Sequence, residues 1–303
     1  MPGIASKTPV KIAIVGPGRL GTALAIALSR CNYQISALVG RRAAQIKRSA
    51  KFLDAPVQIL VAKEIEKILV PDLLLITTPD DQIPSVLVSL SRLKVPSRVR
   101  PIVVHTSGAL SSLILKPLAD SGWSTGSIHP LVSVSDPRAG AGDFEGCYWC
   151  VEGDQRATTL SRKIISKLKG HSFSISSEMK PLYHAAAVMS SGNVVSLFDV
   201  AVDMLTVCGL PRSDARKVLL PLITSAVKSL SKQSPAGALT GTFARGDLGT
   251  LNRHLEALKD KRLVEAETLY RLLGLKSLKL AAENGLQASV VKLLEDRLKA
   301  PLE

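Results

Sequence analysis

The stretch KIAIVGPGRLGTALA, residues 11–25, constrains this chain more tightly than any other. Four apolar residues, Ile12, Ala13, Ile14 and Val15, lead into glycines at 16, 18 and 21, and an alanine- and leucine-rich run leads out. That is the pattern of a strand, a tight turn and a helix. Gly16 lets the chain reverse, Gly18 keeps a Cβ out of the way of an approaching ligand, and Gly21 lets the helix pack on the strand. The unpaired N–H groups at the helix start, together with its positive dipole end, favour an anion. Gly16, Pro17, Gly18, Arg19, Leu20 and Gly21 are therefore the expected pyrophosphate-binding residues of a dinucleotide fold, against the alternative of a purely structural glycine turn.

The second strand narrows the ligand. Residues 34–39 (QISALV) read as that strand, and Gly40, Arg41 and Arg42 follow it. A site for NAD places an acid here to accept from the ribose 2′-OH, whereas a site for NADP offers arginine to the 2′-phosphate. With two arginines and no acid, NADP(H) is the expected cofactor. The alternative is that Arg41 and Arg42 only open a solvated helix face, because Lys47, Arg48 and Lys51 continue the basic run.

A chain of 303 residues suits two domains, and 46% hydrophobic residues suffice for buried cores. The net charge is +14, and residues 1–60 hold nine Lys/Arg against the single acid Asp54. Basic charge alone admits a nucleic-acid partner, but aromatics make up only 4% and no nucleic-acid-binding signature is present. The excess near the glycine turn instead suits a polyanionic cofactor. Of Cys31, Cys147, Cys150 and Cys208, one pair has C-x-x-C spacing with no second pair to complete a zinc site, so no metal is expected. Residues 1–9 lack the apolar core of a secretory signal, and a cytoplasmic protein is expected. The apolar stretch 185–205 carries Asn193, Asp199 and Asp203 and reads as a buried helix, not a membrane span.

Along the chain, residues 57–61 and 73–77 read as strands flanking a helical segment. The second ends in Thr77, Thr78, Pro79, Asp80 and Asp81, and ligands of open α/β sheets bind outside such strand ends. Thr78 and Pro79 are expected beside the nicotinamide ribose; Asp80 and Asp81 have the alternative task of capping the next helix. The strand 102–104 ends in His105, Thr106, Ser107 and Gly108, and another strand end is expected at Ser127, Ile128, His129 and Pro130. Both histidines read as polar lining and not as a metal pair. Strands at 147–151 and 172–175, with a helix at 157–168 between them, close the first domain. From Glu178 helical patterns take over, at 182–207, 214–232, 248–259, 261–273 and 287–298. The expected domains are 1–177, a doubly wound, mostly parallel α/β sheet, and 178–303, all α, with the active site in the cleft between them.

Two polar clusters stand out in the helical part. Residues 180–193 (KPLYHAAAVMSSGN) place His184 and Ser191 on one helix face and set Asn193 among apolar residues. In residues 239–255 Arg245 is the expected clamp for a substrate carboxylate, with Asp247 fixing it or capping the following helix.

In GPGRLG at 16–21, TTPDDQI at 77–83, HTSGAL at 105–110, SIHPL at 127–131, KPLYHAAAVMSSGN and LTGTFARGD at 239–247, the chain resembles a family of oxidoreductases. Its members join an N-terminal Rossmann-like domain to a C-terminal helical domain of the DUF2520 type. The fold also resembles that of pyrroline-5-carboxylate reductase and the 6-phosphogluconate and β-hydroxyacid dehydrogenases. Gly192, Thr242 and Phe243 depart from the family pattern, where serine and Pro-Ile are usual.

The resemblance implies an NADP(H)-dependent reductase of a small carbonyl acid, with 2-dehydropantoate as first candidate because some members are alternative ketopantoate reductases. Lys180 or His184 is the expected proton donor, with His105 a rival, Asn193 orients the carbonyl, and Ser107, His129, Arg245 and Asp247 hold the substrate. The alternatives are reduction of a cyclic imine, as in pyrroline-5-carboxylate reductase, or a non-catalytic NADP-binding sensor. A homodimer through the helical domain is expected because its apolar stripes need cover.

Overall fold

The computed structural model describes residues 9–96 and 99–301. The expected lack of a secretory signal concerns residues of which 1–8 lie outside this range. The chain divides into two compact units, Met1–Ser191 and Gly192–Glu303. The boundary expected at 177 marks where strand-like texture stops; by contacts the first helix after it belongs with the sheet.

The first unit is built on eight strands: β1 (Lys11–Val15), β2 (Gln34–Gly40), β3 (Gln58–Val61), β4 (Leu73–Ile76), β5 (Ile102–His105), β6 (Ser124–Pro130), β7 (Tyr148–Gly153) and β8 (His171–Phe173). They lie in the order β3-β2-β1-β4-β5-β6-β7-β8, and every pair is parallel except β6 with β7. The helices are α1 (Arg19–Arg30), α2 (Ala43–Ala50), α3 (Ile83–Leu90), α4 (Lys116–Ala119), α5 (Pro137–Gly140), α6 (Gln155–Lys167) and α7 (Lys180–Ser190). Successive side chains of a strand point to opposite faces, and here both faces are apolar. Ile12, Ile14, Leu38 and Leu75 enter one core, and Ala13, Val15, Val39 and Leu74 enter the other.

The antiparallel step at β6 and β7 sets Ser127 opposite Glu152. Asp154 then starts α6 by accepting from the amide of Ala157 at 2.9 Å, and its other oxygen accepts from the amide of Thr125 on β6 at 2.5 Å. One carboxylate thereby caps a helix and ties it to the sheet. Ser127 and His129 lie within β6, not at its end. The helical segment expected before β4 is a 3-10 stretch, Ala62–Lys67.

The second unit holds α8 (Gly192–Val207), α9 (Arg212–Leu230), α10 (Pro235–Ala238), α11 (Thr242–Arg245), α12 (Leu248–Asp260), α13 (Val264–Glu283) and α14 (Ala288–Lys299). Its core is small: Leu251, Leu255, Leu278, Leu294 and Leu298. The single helix expected over 182–207 is two, because Ser191 leaves helical geometry at φ −128°, ψ −80°. Ser191 therefore does not share a helix face with His184. The same stretch is also not buried: of α8 only Val202 is, while Val195 and Leu197 stand exposed. Helix α8 packs on α9 and touches α13, yet much of its apolar surface stays exposed among the described residues. Ser177–Val207 is the one described run long and apolar enough to cross a membrane by length and composition. The helix expected from 261 begins at Val264, because Arg262 takes a left-handed φ of 53°.

Asp154→Ala is expected to destabilise the protein by about 1–2 kcal/mol through the lost cap. Urea denaturation followed by circular dichroism measures this loss, and an unchanged midpoint refutes it.

Candidate functional site

The glycine turn forms as its spacing requires. Gly16 has φ +94°, and a Cβ there would stand 2.8 Å from the backbone nitrogen of Thr78. A Cβ on Gly21 would meet Thr77 Oγ1 at 2.3 Å and Gly16 O at 2.6 Å, so helix and strand ends touch through glycine alone. Gly18 is different: a Cβ there meets nothing closer than 3.9 Å, which leaves the backbone face open. No side chain caps α1, whose N-cap is Gly18 itself. Its first-turn N–H groups are left to a ligand.

A cleft of about 490 Å³ opens here, lined on one side by Gly16, Pro17 and Gly18 and on the other by Arg41, Arg42 and Gln45. Thr78 and Pro79 also line it, and Thr78 Oγ1 is buried without a hydrogen-bond partner. Among the described residues neither arginine has an acidic partner within ion-pair distance. An open helix start, an orphaned hydroxyl and two unpaired guanidinium groups along one cleft fit a phosphorylated dinucleotide. Arg19 and Leu20 line no part of the cleft; they contribute the first turn of α1.

Beyond Pro79 the chain enters a second cluster. The Asp80 carboxylate does not cap the next helix but accepts from Ser107 Oγ at 2.7 Å. The same Ser107 oxygen accepts from the amide of Leu110 at 2.9 Å, closing the loop after β5. His105 is fully buried, its Nδ1 accepting from the Ser107 amide at 3.2 Å while its Nε2 lies 3.1 Å from the Ser111 carbonyl. A carbonyl only accepts, so Nε2 carries the proton and both nitrogens are used. Burial, with Lys180 adding to it, pushes the imidazole down to about 4. His105 is thus a structural histidine and not the rival proton donor.

Lys180, the first residue of α7, has no solvent exposure at all. Its ammonium donates to Ser127 Oγ at 2.5 Å and to the Ser107 carbonyl at 3.0 Å, and Glu152 Oε1 lies 3.9 Å away. Glu152 in turn accepts from the amide and hydroxyl of Ser112 at 2.6 and 2.7 Å and from Ser177 Oγ at 3.0 Å. Burial lowers the Lys180 pKa, and Glu152 opposes that shift. The expected role of Lys180 as proton donor does not fit this position: the ammonium is enclosed and holds internal acceptors.

One turn further along α7 the picture changes. The Tyr183 phenol lies 2.7 Å from His129 Nδ1, and burial raises the phenol's pKa. The phenol and the imidazole nitrogen thus share one short hydrogen bond. Burial, His184 and Lys180 push His129 down to about 4. The rings of His129 and His184 meet edge to face at 5.3 Å. Both converge on Gly108, where a Cβ would stand 2.2 Å from His184 Nδ1 and 2.8 Å from His129 Nε2. His184 Nδ1 is buried with no hydrogen-bond partner, so it is the group of this cluster with bonding capacity to spare. Among the described residues no group of histidines, cysteines and acids could hold a metal.

The remaining candidates lie in the second unit. Asn193 is exposed near the start of α8 and so lacks the apolar surroundings expected of it. Arg245, exposed, ends the one-turn helix α11. Asp247 caps α12, accepting from the amide of Thr250 at 2.9 Å and from its hydroxyl at 2.7 Å, which is the capping alternative and not the substrate contact. Sequence reasoning missed Glu152 and Tyr183. The signal for Glu152 was present as a lone acid in the apolar strand YWCVEG; that for Tyr183 was not, since its partner is distant in sequence.

The parallel sheet order, with the glycine turn between β1 and α1, defines the Rossmann-like class. The chain matches the model of a Rossmann-like domain over residues 3–130 and that of a domain of unknown function, DUF2520, over residues 147–277. Among solved structures it is similar to a candidate NADP oxidoreductase from Bacteroides fragilis, at 22% identity and a TM-score of 0.72, covering 89% of this chain and 98% of that one. It is similar to protein TM1727 from Thermotoga maritima at 25% identity and a TM-score of 0.69, over 90% and 98% of the two chains. The fold extends to a Plasmodium falciparum pyrroline carboxylate reductase with NADP bound, at 14% identity and a TM-score of 0.55, over 94% and 98%. No curated protein matches the sequence.

Lys180→Ala leaves the Glu152 carboxylate buried without its cation and is expected to cost about 3–5 kcal/mol, most of it recovered by pairing Lys180→Met with Glu152→Gln. Urea unfolding of the three proteins decides this; equal midpoints for Lys180→Ala and the double variant would refute it. Because His105 and His129 titrate near 4 in the fold and near 6.5 when unfolded, the unfolded chain binds more protons between those values. Their contribution is whole above about pH 6.5 and declines as pH falls toward 4. Thermal melts across this range are expected to show a falling Tm, with a shallower slope in His129→Gln.

Proposed function

We propose that this protein is an NADP(H)-dependent reductase of a small carbonyl acid, and that 2-dehydropantoate is the first substrate to test. The observation that carries the reading is the cleft in which the open start of α1, the orphaned Thr78 hydroxyl and the unpaired Arg41 and Arg42 face one another. The backbone of Gly16, Pro17 and Gly18 holds the pyrophosphate, Thr78 and Pro79 lie beside the nicotinamide ribose, and Arg41 and Arg42 take the 2′-phosphate. When bound, the cofactor supplies a hydride. The names of neighbours such as the Bacteroides fragilis and Plasmodium falciparum proteins support the cofactor.

His184 is the proposed hydrogen-bond donor to the substrate oxygen, because Lys180 and His105 are held by internal acceptors. Arg245 remains the proposed clamp for a substrate carboxylate and Asn193 a proposed contact to the carbonyl. Reduction of an imine is the second reading, since a C=N bond that arrives protonated needs no strong acid from the protein. The His129 imidazole, held near 4, favours it, as do the reductive aminases and pyrroline-5-carboxylate reductases among the structural neighbours.

We also propose a homodimer through the second unit, supported by the exposed Val195, Leu197, Val218, Leu220 and Leu222 of α8 and α9. A cytoplasmic location is proposed on the four free cysteines.

Loss of NADPH absorbance with 2-dehydropantoate, other 2-oxo acids and pyrroline-5-carboxylate tests the reaction. Turnover that falls about 100-fold in His184→Ala supports the assignment, a loss in the range typical of a general acid. Silence across the panel with NADPH still bound moves the protein to the sensor alternative. Sedimentation equilibrium tests the dimer, and a monomer mass rejects it.

A further inference from the structure

Between the two walls of the dinucleotide cleft runs a buried polar chain that the cofactor reading does not use. Thr22 on α1 and Ser49 on α2 are 2% and 6% exposed. Thr22 Oγ1 donates to Ser49 Oγ at 2.8 Å, and Ser49 Oγ donates to the Pro17 carbonyl at 3.2 Å. Thr22 Oγ1 also lies 3.2 Å from that carbonyl. Each hydroxyl has one proton, so one hydroxyl donates to the other and the second donates to the Pro17 carbonyl, which leaves every proton placed. Around this chain the packing is tight: a Cβ on Gly40 would stand 3.0 Å from Ile46 Cγ1 and 3.3 Å from Pro17 Cδ. Ile46 is buried on the same face of α2 as Ser49.

Pro17 is the middle residue of the glycine turn, and α2 is the helix whose start carries Arg41 and Arg42. The two hydroxyls therefore fix the distance between the place where a pyrophosphate binds and the place where a 2′-phosphate binds. We propose that Thr22 and Ser49 are positioning residues for cofactor specificity: they hold α2 against the Pro17 carbonyl so that both phosphate sites are met by one dinucleotide. The inference rests on the cofactor reading above. NADH, which lacks the 2′-phosphate, needs only the turn, whereas NADPH needs turn and arginines at a fixed span. Loosening the span must then cost NADPH more than NADH. A merely structural role would weaken both alike.

The test is calorimetric titration of the full chain and of Thr22→Val, Ser49→Ala and Thr22→Ser with NADPH and with NADH. A lost buried hydrogen bond predicts roughly tenfold weaker NADPH binding in Thr22→Val and in Ser49→Ala, with NADH weakened no more than about twofold. Thr22→Ser restores the hydroxyl and is expected to restore the NADPH preference. Melting curves of each variant identify any that fails to fold, and Thr22→Ser, nearly isosteric, keeps the comparison open. An unchanged ratio of NADPH to NADH affinity in both hydroxyl-deleted variants overturns the inference while leaving the cofactor reading intact. A wild-type chain that binds neither dinucleotide overturns that reading and this inference with it.

Discussion

The arrangement of the candidate site depends on one buried charge. An ammonium group with no exposure to water needs acceptors on all sides, and Lys180 finds them in Ser127, Ser107 and the nearby Glu152. Those acceptors come from β6, the loop after β5, and β7. To satisfy the lysine, three separate parts of the sheet edge and the start of α7 must be brought to one point. Glu152 extends the tie through Ser112 and Ser177, so the loop holding Gly108 is pinned at both ends. The convergence of His129 and His184 on Gly108 is built on this knot.

Most of the first unit was legible in the sequence because its signals are local. The strands, the glycine turn and the two arginines each follow from neighbouring residues, and the sheet places them as expected. What could not be read was which polar residues satisfy one another. Lys180 and His105 have the right chemistry for acids, yet their partners lie 53 to 73 residues away for the lysine and in a closed loop for the histidine. Periodicity gives no hint of that. The break at Ser191 did leave a local signal, the polar run Ser190, Ser191, Gly192 and Asn193, which the long apolar stretches on either side outweighed.

The two units differ in how they use apolar residues. In the first, both faces of the sheet are covered and alternate residues fill two cores. In the second, five buried leucines from α12, α13 and α14 make the core, while α8 and α9 carry much of the remaining apolar surface outward. Hydrophobic residues at helical spacing promise burial only if a neighbour exists to bury them. For α8 that promise is met only in part: Val202 is buried, while Val195 and Leu197 stand exposed.

Ser107 Oγ accepts from the Leu110 amide and donates a hydrogen bond to Asp80, two residues past the cleft-lining Thr78. The loop that borders the cleft and the loop that borders the imidazoles are thus stitched at a single oxygen. A displacement of either edge must stretch the same short bond or carry the other edge along. The two rims thus share one seam, and the spacing between cleft and histidine pair is set by a side-chain hydrogen bond of 2.7 Å.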